Sequence, residues 1–305
     1  MQRRGFGDRL PTGAIAAGGT LGILLPPSTG FVLYAILTEE SIGRLFMAGV
    51  LPGLLLTVLF MLVITVMVRV WPDENAGAPD TRGQTAGLHL KTLLRAGPIF
   101  GIVLFTIGGI YFGILTPVEA AGAGAFLTLL VALGRRRLDV AGLATVVRST
   151  LETTGLCFLI LLGATIFSPF VALSGLPETL SAAMAGLGSE PYTVLGLILI
   201  LYMLLGMVIE GLSLMVITLP IVFPIITQLG FDPIWFGVIM VLVLEMGLIS
   251  PPVGVNCFVV KSIAPQVPLS RIFTGVMPFW AAMILCVVLL IAFPQVALIL
   301  PNAMF

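Results

Sequence analysis

Long uncharged runs alternate along this chain with short polar connections. Residues 10–38, 45–68, 97–115, 153–173, 191–209, 211–231 and 274–293 contain no Asp, Glu, Lys or Arg, and 233–264 is interrupted only by Glu245 and Lys261. A bilayer core is crossed by about 20 apolar residues in a helix. The pattern therefore predicts an all-α polytopic membrane protein. Basic residues sit in the gaps: Arg3, Arg4 and Arg9 at the start, Lys91 and Arg95 in a polar loop, and Arg135 to Arg137. Placed on the cytoplasmic side, they put the Lys/Arg-free segment 177–190 outside, with Arg44 as an exception near an interface. The segments divide as 1–71, a polar cytoplasmic loop at 72–96, connecting spans with a basic loop at 97–152, and 153–305.

Two apolar runs carry adjacent prolines, at Pro26-Pro27 and Pro251-Pro252. A proline removes a backbone donor and blocks the helix before it. At membrane depth such a break is tolerated where the backbone lines a cavity or meets a ligand; the bland reading is a kink. The two copies are in register. A shift of 225 positions, the spacing from Gly22 to Gly247 and from Pro26 to Pro251, also sets Gly5-Phe6 on Gly230-Phe231. With small slips, Arg44-Leu45-Phe46 matches Arg271-Ile272-Phe273, and Gly49-Val50-Leu51-Pro52 matches Gly275-Val276-Met277-Pro278. Charge counting runs the two broken helices in opposite directions, as an inverted repeat requires. It does not separate two full crossings at 191–231 from a re-entrant hairpin with its tip near Glu210-Gly211. In the second half a span and a hairpin-like pair precede the break. In the first half almost nothing precedes Gly5, so the repeat leads one to expect a fragment, a misassigned start or a truncated form.

Composition narrows the function. The chain is 59% hydrophobic and 9% charged with zero formal net charge, and its mean hydropathy is +1.18. Neutrality gives no footprint for nucleic acid. Cys157, Cys257 and Cys286 lie apart and read as packing residues. His89 is alone in a loop, so no transition-metal cluster is expected. An intramembrane enzyme needs a nucleophile–base pair, paired aspartates or a His cluster, and these are missing. No cleavable signal peptide is evident.

A few polar residues remain inside apolar sequence. Glu210 is functional by default at such a position, with a hairpin cap as the alternative. Glu245 supports the break, serves a proton or ion path, or has a structural partner. Asn256 is a substrate donor or, more simply, a helix-packing hydrogen bond. Thr116-Pro117 with Glu119 reads as a turn and a capped helix start, with a direct transport role as the alternative. Ala120 to Ala125 are small and suit close helix packing. Trp71, Trp235 and Trp280 read as interface anchors or packing residues.

The segments from Gly18 to Ser28, Phe46 to Gly53, Gly109 to Ala121 and Gly230 to Gly254 resemble, in order, the large membrane subunit of tripartite ATP-independent periplasmic (TRAP) transporters. The resemblance implies an inverted-repeat elevator-type secondary transporter with broken Pro-Pro helices and a re-entrant hairpin, driven by sodium. It would sit in a bacterial inner membrane with a small four-helix membrane subunit. A periplasmic binding protein would deliver an organic acid: a C4-dicarboxylate, keto acid or sugar acid. No cofactor is implied, only sodium as coupling ion. Carried onto this chain, one sodium site would use Glu210, Gly211, Leu212 and Ser213 at the tip with Gly247 and Ser250 in the break. The other, lacking its hairpin, would use Thr20, Gly22 and Ser28. Competing readings are another inverted-repeat carrier, such as an antiporter or citrate-type permease, and a non-transporting truncated remnant.

Overall fold

The structure, a computed structural model, describes residues 7–70, 85–175, 179 and 190–304, with the side chains of 85–96 and 172 outside that description. Arg3, Arg4, Gly5, Phe6, Trp71, most of the polar loop and most of 177–190 lie outside it, as do the side chains of His89, Lys91 and Arg95.

Among the described residues the chain forms helices and no strand. In order they are α1 (Arg9–Leu24), α2 (Thr29–Thr38), α3 (Ile42–Val70), α4 (Thr85–Tyr111), α5 (Pro117–Gly134), α6 (Val140–Leu173), α7 (Pro191–Gly206), α8 (Gly211–Gln228), α9 (Pro233–Gly247), α10 (Val255–Ile263), α11 (Leu269–Ala292) and α12 (Gln295–Met304). Six of the described helical stretches are long and apolar enough to cross a membrane, Arg9–Thr38 among them. The chain is an all-α polytopic membrane protein.

Two boundaries differ from the hydropathy reading. Helix α4 begins at Thr85, inside the segment expected to be a polar loop. Leu88, Leu90, Leu93 and Leu94 are good helix formers, and a few polar residues among them do not stop a helix. Helix α6 begins at Val140, well before the uncharged run at 153. Charged residues in its first turns, including Arg148 and Glu152, pair at i,i+4 and are compatible with helix.

The chain divides into two units. One comprises residues 1–79 and 166–303, and the other residues 80–165. In the second unit α4 packs on α5, where a side chain at Gly124 would meet Thr106 Cγ2 at 3.0 Å. Of the small residues Ala120 to Ala125, Gly124 makes this close approach, while Gly122 meets nothing within 4 Å among the described residues. Thr116 and Glu119 form a full capping box at the start of α5, and the carboxylate accepts from the Thr116 amide at 2.8 Å.

The first unit is built around α9. Every residue from Ile234 to Gly247 is buried. A helix apolar on all sides belongs at the centre of a bundle. Asp232 caps its start by accepting from the Trp235 amide, and Pro233 occupies the first position, where a missing N–H costs nothing. Trp235 is buried and its indole donates to the Leu290 carbonyl, so it is a packing residue.

The two repeats embrace each other. Helix α1 packs on α3 of its own repeat and on α11 of the other, and α9 packs on α11 and α3 in the same reciprocal way. Helix α1 also meets α10, as α9 meets α2. The contact pairs give directions. Tyr34 lies against Gly237 and Gly30 against Val241, so α2 and α9 run antiparallel. Asp8 pairs with Arg271 at 3.8 Å and Gly13 meets Gly275, so α1 and α11 run parallel. Since α3 and α11 each return after a break, corresponding helices of the two repeats run in opposite senses.

Candidate functional site: two helix breaks and a hairpin tip

Both breaks follow from one local rule. In each, a glycine carbonyl stands four residues before the first proline: Gly22 before Pro26, Gly247 before Pro251. A proline has no N–H to give it, and the second proline deprives Ile23 and Leu248 likewise. Leu25, which precedes a proline, is extended at ψ 133, and α1 ends there. Both Pro–Pro peptide bonds are cis.

At the second break the loop recovers part of what the prolines remove. The Ser250 amide donates to the Gly247 carbonyl at 3.1 Å, and the Asn256 amide donates to Leu248 at 3.0 Å. The Ser250 hydroxyl donates to the Met246 carbonyl. The bare carbonyls expected from sequence are therefore not bare. Each keeps a second lone pair, and the hydroxyl oxygen keeps its own. Gly254, at φ 54, turns the chain into α10 in a conformation that glycine adopts without strain.

The first break is similar but more open. Thr20 is buried and its hydroxyl donates to the Ala17 carbonyl at 2.7 Å. Ser28 is buried and caps α2 by accepting from the Phe31 amide. A side chain added at Gly22 would meet nothing within 4 Å.

The equivalent glycine of the second repeat is covered. Helices α7 and α8 form a hairpin around the tip 207–210, and the residues flanking the tip, Gly206 and Gly211, reach α9. A Cβ on Gly247 would collide with the Gly206 carbonyl, and one on Gly211 would touch the Leu244 side chain at 3.5 Å. The backbone beside the tip thus rests directly on the last turn of α9. Within the hairpin, the Tyr202 hydroxyl pairs with Thr218 at 2.6 Å and ties the two arms. Gly206 is absent from the sequence-based candidates. Its signal was a lone small residue at the end of an apolar helix, and only its partner reveals its use.

The acidic residues divide in role. Glu210 is the cap of α8: its carboxylate accepts from the Leu212 and Ser213 amides at 3.0 and 2.9 Å and from the Ser213 hydroxyl at 3.1 Å. Glu119 is likewise committed to its cap. Glu245 is different. It is 5% exposed, and its Oε2 is buried with no hydrogen-bond partner among the described residues.

Asn256 joins the repeats. Its Nδ2 donates to the Ala16 carbonyl of α1 at 3.3 Å and lies over Gly19. This contact is a hydrogen bond between helices. The structure therefore brings Gly211, Gly247 and Ser250 to one end of α9, and the helix bearing Thr20 against α10. The donors at these places are carbonyl, hydroxyl and carboxylate oxygens, a set suited to a hard cation. No group of three or more His, Cys, Asp or Glu suited to a metal ion occurs among the described residues.

Comparison with known proteins places this architecture. A family profile described as "Tripartite ATP-independent periplasmic transporter, DctM component" matches residues 1–296. The C4-dicarboxylate TRAP transporter large permease protein DctM of Pseudomonas aeruginosa is 34% identical over 305 residues, covering 99% of this chain and 70% of that protein. The isethionate TRAP transporter permease protein DctMQ of Oleidesulfovibrio alaskensis is 33% identical over 289 residues, 93% of this chain and 44% of that protein. The sialic acid TRAP transporter large permease protein SiaM of Vibrio cholerae is 30% identical over 303 residues, 99% of this chain and 70% of that protein. The chain belongs to the DctM family of tripartite ATP-independent periplasmic transporters, as a multi-pass transporter component and not an enzyme.

Proposed function

We propose that this chain is the large transmembrane subunit of a sodium-coupled TRAP transporter in a bacterial inner membrane. It works with a small membrane subunit and a periplasmic binding protein that delivers an organic acid. The observation that carries the reading is the pair of Pro-Pro breaks in oppositely directed repeats, each with a hydroxyl and proline-deprived carbonyls beside it. The relatives named above are named for a C4-dicarboxylate, isethionate and sialic acid, all organic anions.

The chemistry follows from the donors. Neutral oxygens at a break hold sodium without burying a fixed charge. The start of α10, just beyond the second break, offers amides and the positive end of a helix dipole to a carboxylate. Gly211, Ser213, Gly247 and Ser250, with Glu210 holding the tip in shape, would form one sodium site; Thr20, Gly22 and Ser28 would contribute to the other. Movement of the hairpin-bearing unit across the membrane, elevator fashion, would carry ion and substrate together.

The test is uptake into proteoliposomes holding this chain with the small subunit, with binding protein added outside. Labelled C4-dicarboxylates, keto acids, sialic acid and isethionate form the panel. Accumulation driven by an inward sodium gradient and abolished without binding protein is expected. Uptake indifferent to sodium would sink the coupling, and uptake without binding protein would point to a lone carrier.

A further inference from the structure

The two breaks differ in what bridges them. At the second, the Asn256 amide of α10 donates to the Leu248 carbonyl just past the end of α9, so a backbone hydrogen bond spans the prolines. At the first, no backbone hydrogen bond joins α1 to α2 among the described residues. The Pro26-Pro27 joint is therefore held by packing on either side of it, and the two sides pack differently. Helix α11 packs along α1, whereas α8, an arm of the second repeat's hairpin, packs on α2.

One residue of α2 makes the link to the hairpin. Tyr34 is buried. Its hydroxyl donates to the Pro233 carbonyl at the start of α9 at 2.7 Å. Its ring meets Phe223 of α8 edge-on, with centroids 6.4 Å apart. Gly237 leaves the room the ring needs, since a Cβ there would stand 2.7 Å from it. The same α8 begins at Gly211, which rests on Leu244 of α9. Helix α2 has 10 residues, with Ser28 capping its end at the break. So short a helix moves as a rigid rod, and a shift of α8 that carries Tyr34 with it also moves Ser28. Energetic coupling travels through packed side chains and rigid elements of this kind.

We propose that α2 moves with the hairpin of the second repeat rather than with α1, and that Tyr34 is the positioning residue that makes it follow. Pro26-Pro27 is then the hinge between α1 and α2. Lifting of the hairpin end from Gly247 loosens the first break as well, and the two breaks open as one. The link goes beyond the transport reading and needs neither a particular ion nor a particular substrate.

Amide hydrogen exchange of the full chain in detergent, read by peptide mass spectrometry, tests this. Gly247→Ala pushes the hairpin end off α9. It should speed exchange in peptides from α2 by about tenfold or more and leave those from α1 unchanged. Tyr34→Phe keeps the ring and removes the bond to Pro233, and Phe223→Leu removes the ring contact. Each should abolish most of the response of α2 to Gly247→Ala while the hairpin's own response persists. A residue that only fills space would leave that response in place. If α1 and α2 speed up together, the whole bundle has loosened and α2 does not belong to the hairpin. If α2 responds as strongly in Tyr34→Phe and Phe223→Leu, Tyr34 is not the link. Should Gly247→Ala fail to fold, Glu210→Ala loosens the tip without adding volume, and the same comparisons decide.

Discussion

Two glycines at equivalent positions of the repeat have opposite surroundings. Gly247 meets the Gly206 carbonyl, whereas Gly22 faces open space among the described residues. Gly247→Ala should therefore destabilise by about 1–3 kcal/mol, the usual cost of overpacking. Gly22→Ala should be neutral or stabilising by up to about 1 kcal/mol, since alanine is the better helix former. Thermal unfolding in detergent checks the pair, and equal shifts would contradict the hairpin seating. The carboxylates diverge in the same way. Glu210→Ala removes an N-cap and should cost about 1 kcal/mol. If instead its loss leaves stability unchanged, the cap is not what holds the tip. Glu210 lies in an apolar run, and its carboxylate holds the start of α8 through the Leu212 and Ser213 amides. Glu245 carried the same sequence signal, an acid in an apolar run. Burial without a partner separates the two, and that is a tertiary fact.

At the scale of elements, hydropathy placed nearly every helix and both breaks, because lipid allows backbone polar groups no alternative to internal pairing. It misplaced the starts of α4 and α6, where helices extend into polar sequence beyond the apolar run. It also left the 191–231 segment open, and the structure shows two helices tied by Tyr202 and Thr218 around a capped tip. The second break depends on one further glycine. At Gly254, an added Cβ would meet Phe273 at 2.7 Å in a left-handed conformation. Gly254→Ala should cost roughly 1–2 kcal/mol from the backbone alone, and should weaken sodium-dependent protection against thermal unfolding. Unchanged protection would show that the loop geometry does not matter to the ion.

At the scale of the molecule, the repeats are held by contacts that cross from one to the other. Asp8 with Arg271, Gly13 with Gly275 and Asn256 with Ala16 all join α1 to the second repeat. A chain with its native cysteines replaced and carrying Asp8→Cys and Arg271→Cys should be joined by a short thiol-reactive cross-linker, and cleavage between the repeats should then leave one band on a denaturing gel. Two bands would contradict the reciprocal packing. Asn256→Ala should cost only about 0.6 kcal/mol, the typical value for an interhelical hydrogen bond in lipid. A much larger loss would mark Asn256 as more than a packing contact.

The sequence alone determined the class, the breaks and the repeat. Charge-free runs of bilayer length, proline pairs and glycine registers are local properties of the chain, and lipid makes their consequences nearly obligatory. The family resemblance rested on the same residues. Tertiary structure decided what those residues meet: that the hairpin end rests on Gly247 and not on Gly22, that loop amides and hydroxyls recover part of the second break's carbonyls, and that Glu245 is buried with an oxygen that has no hydrogen-bond partner among the described residues. These are pairings between residues distant in sequence. They depend on where helices cross, and crossing positions come from side-chain volumes and close glycine contacts that no single stretch of the chain contains.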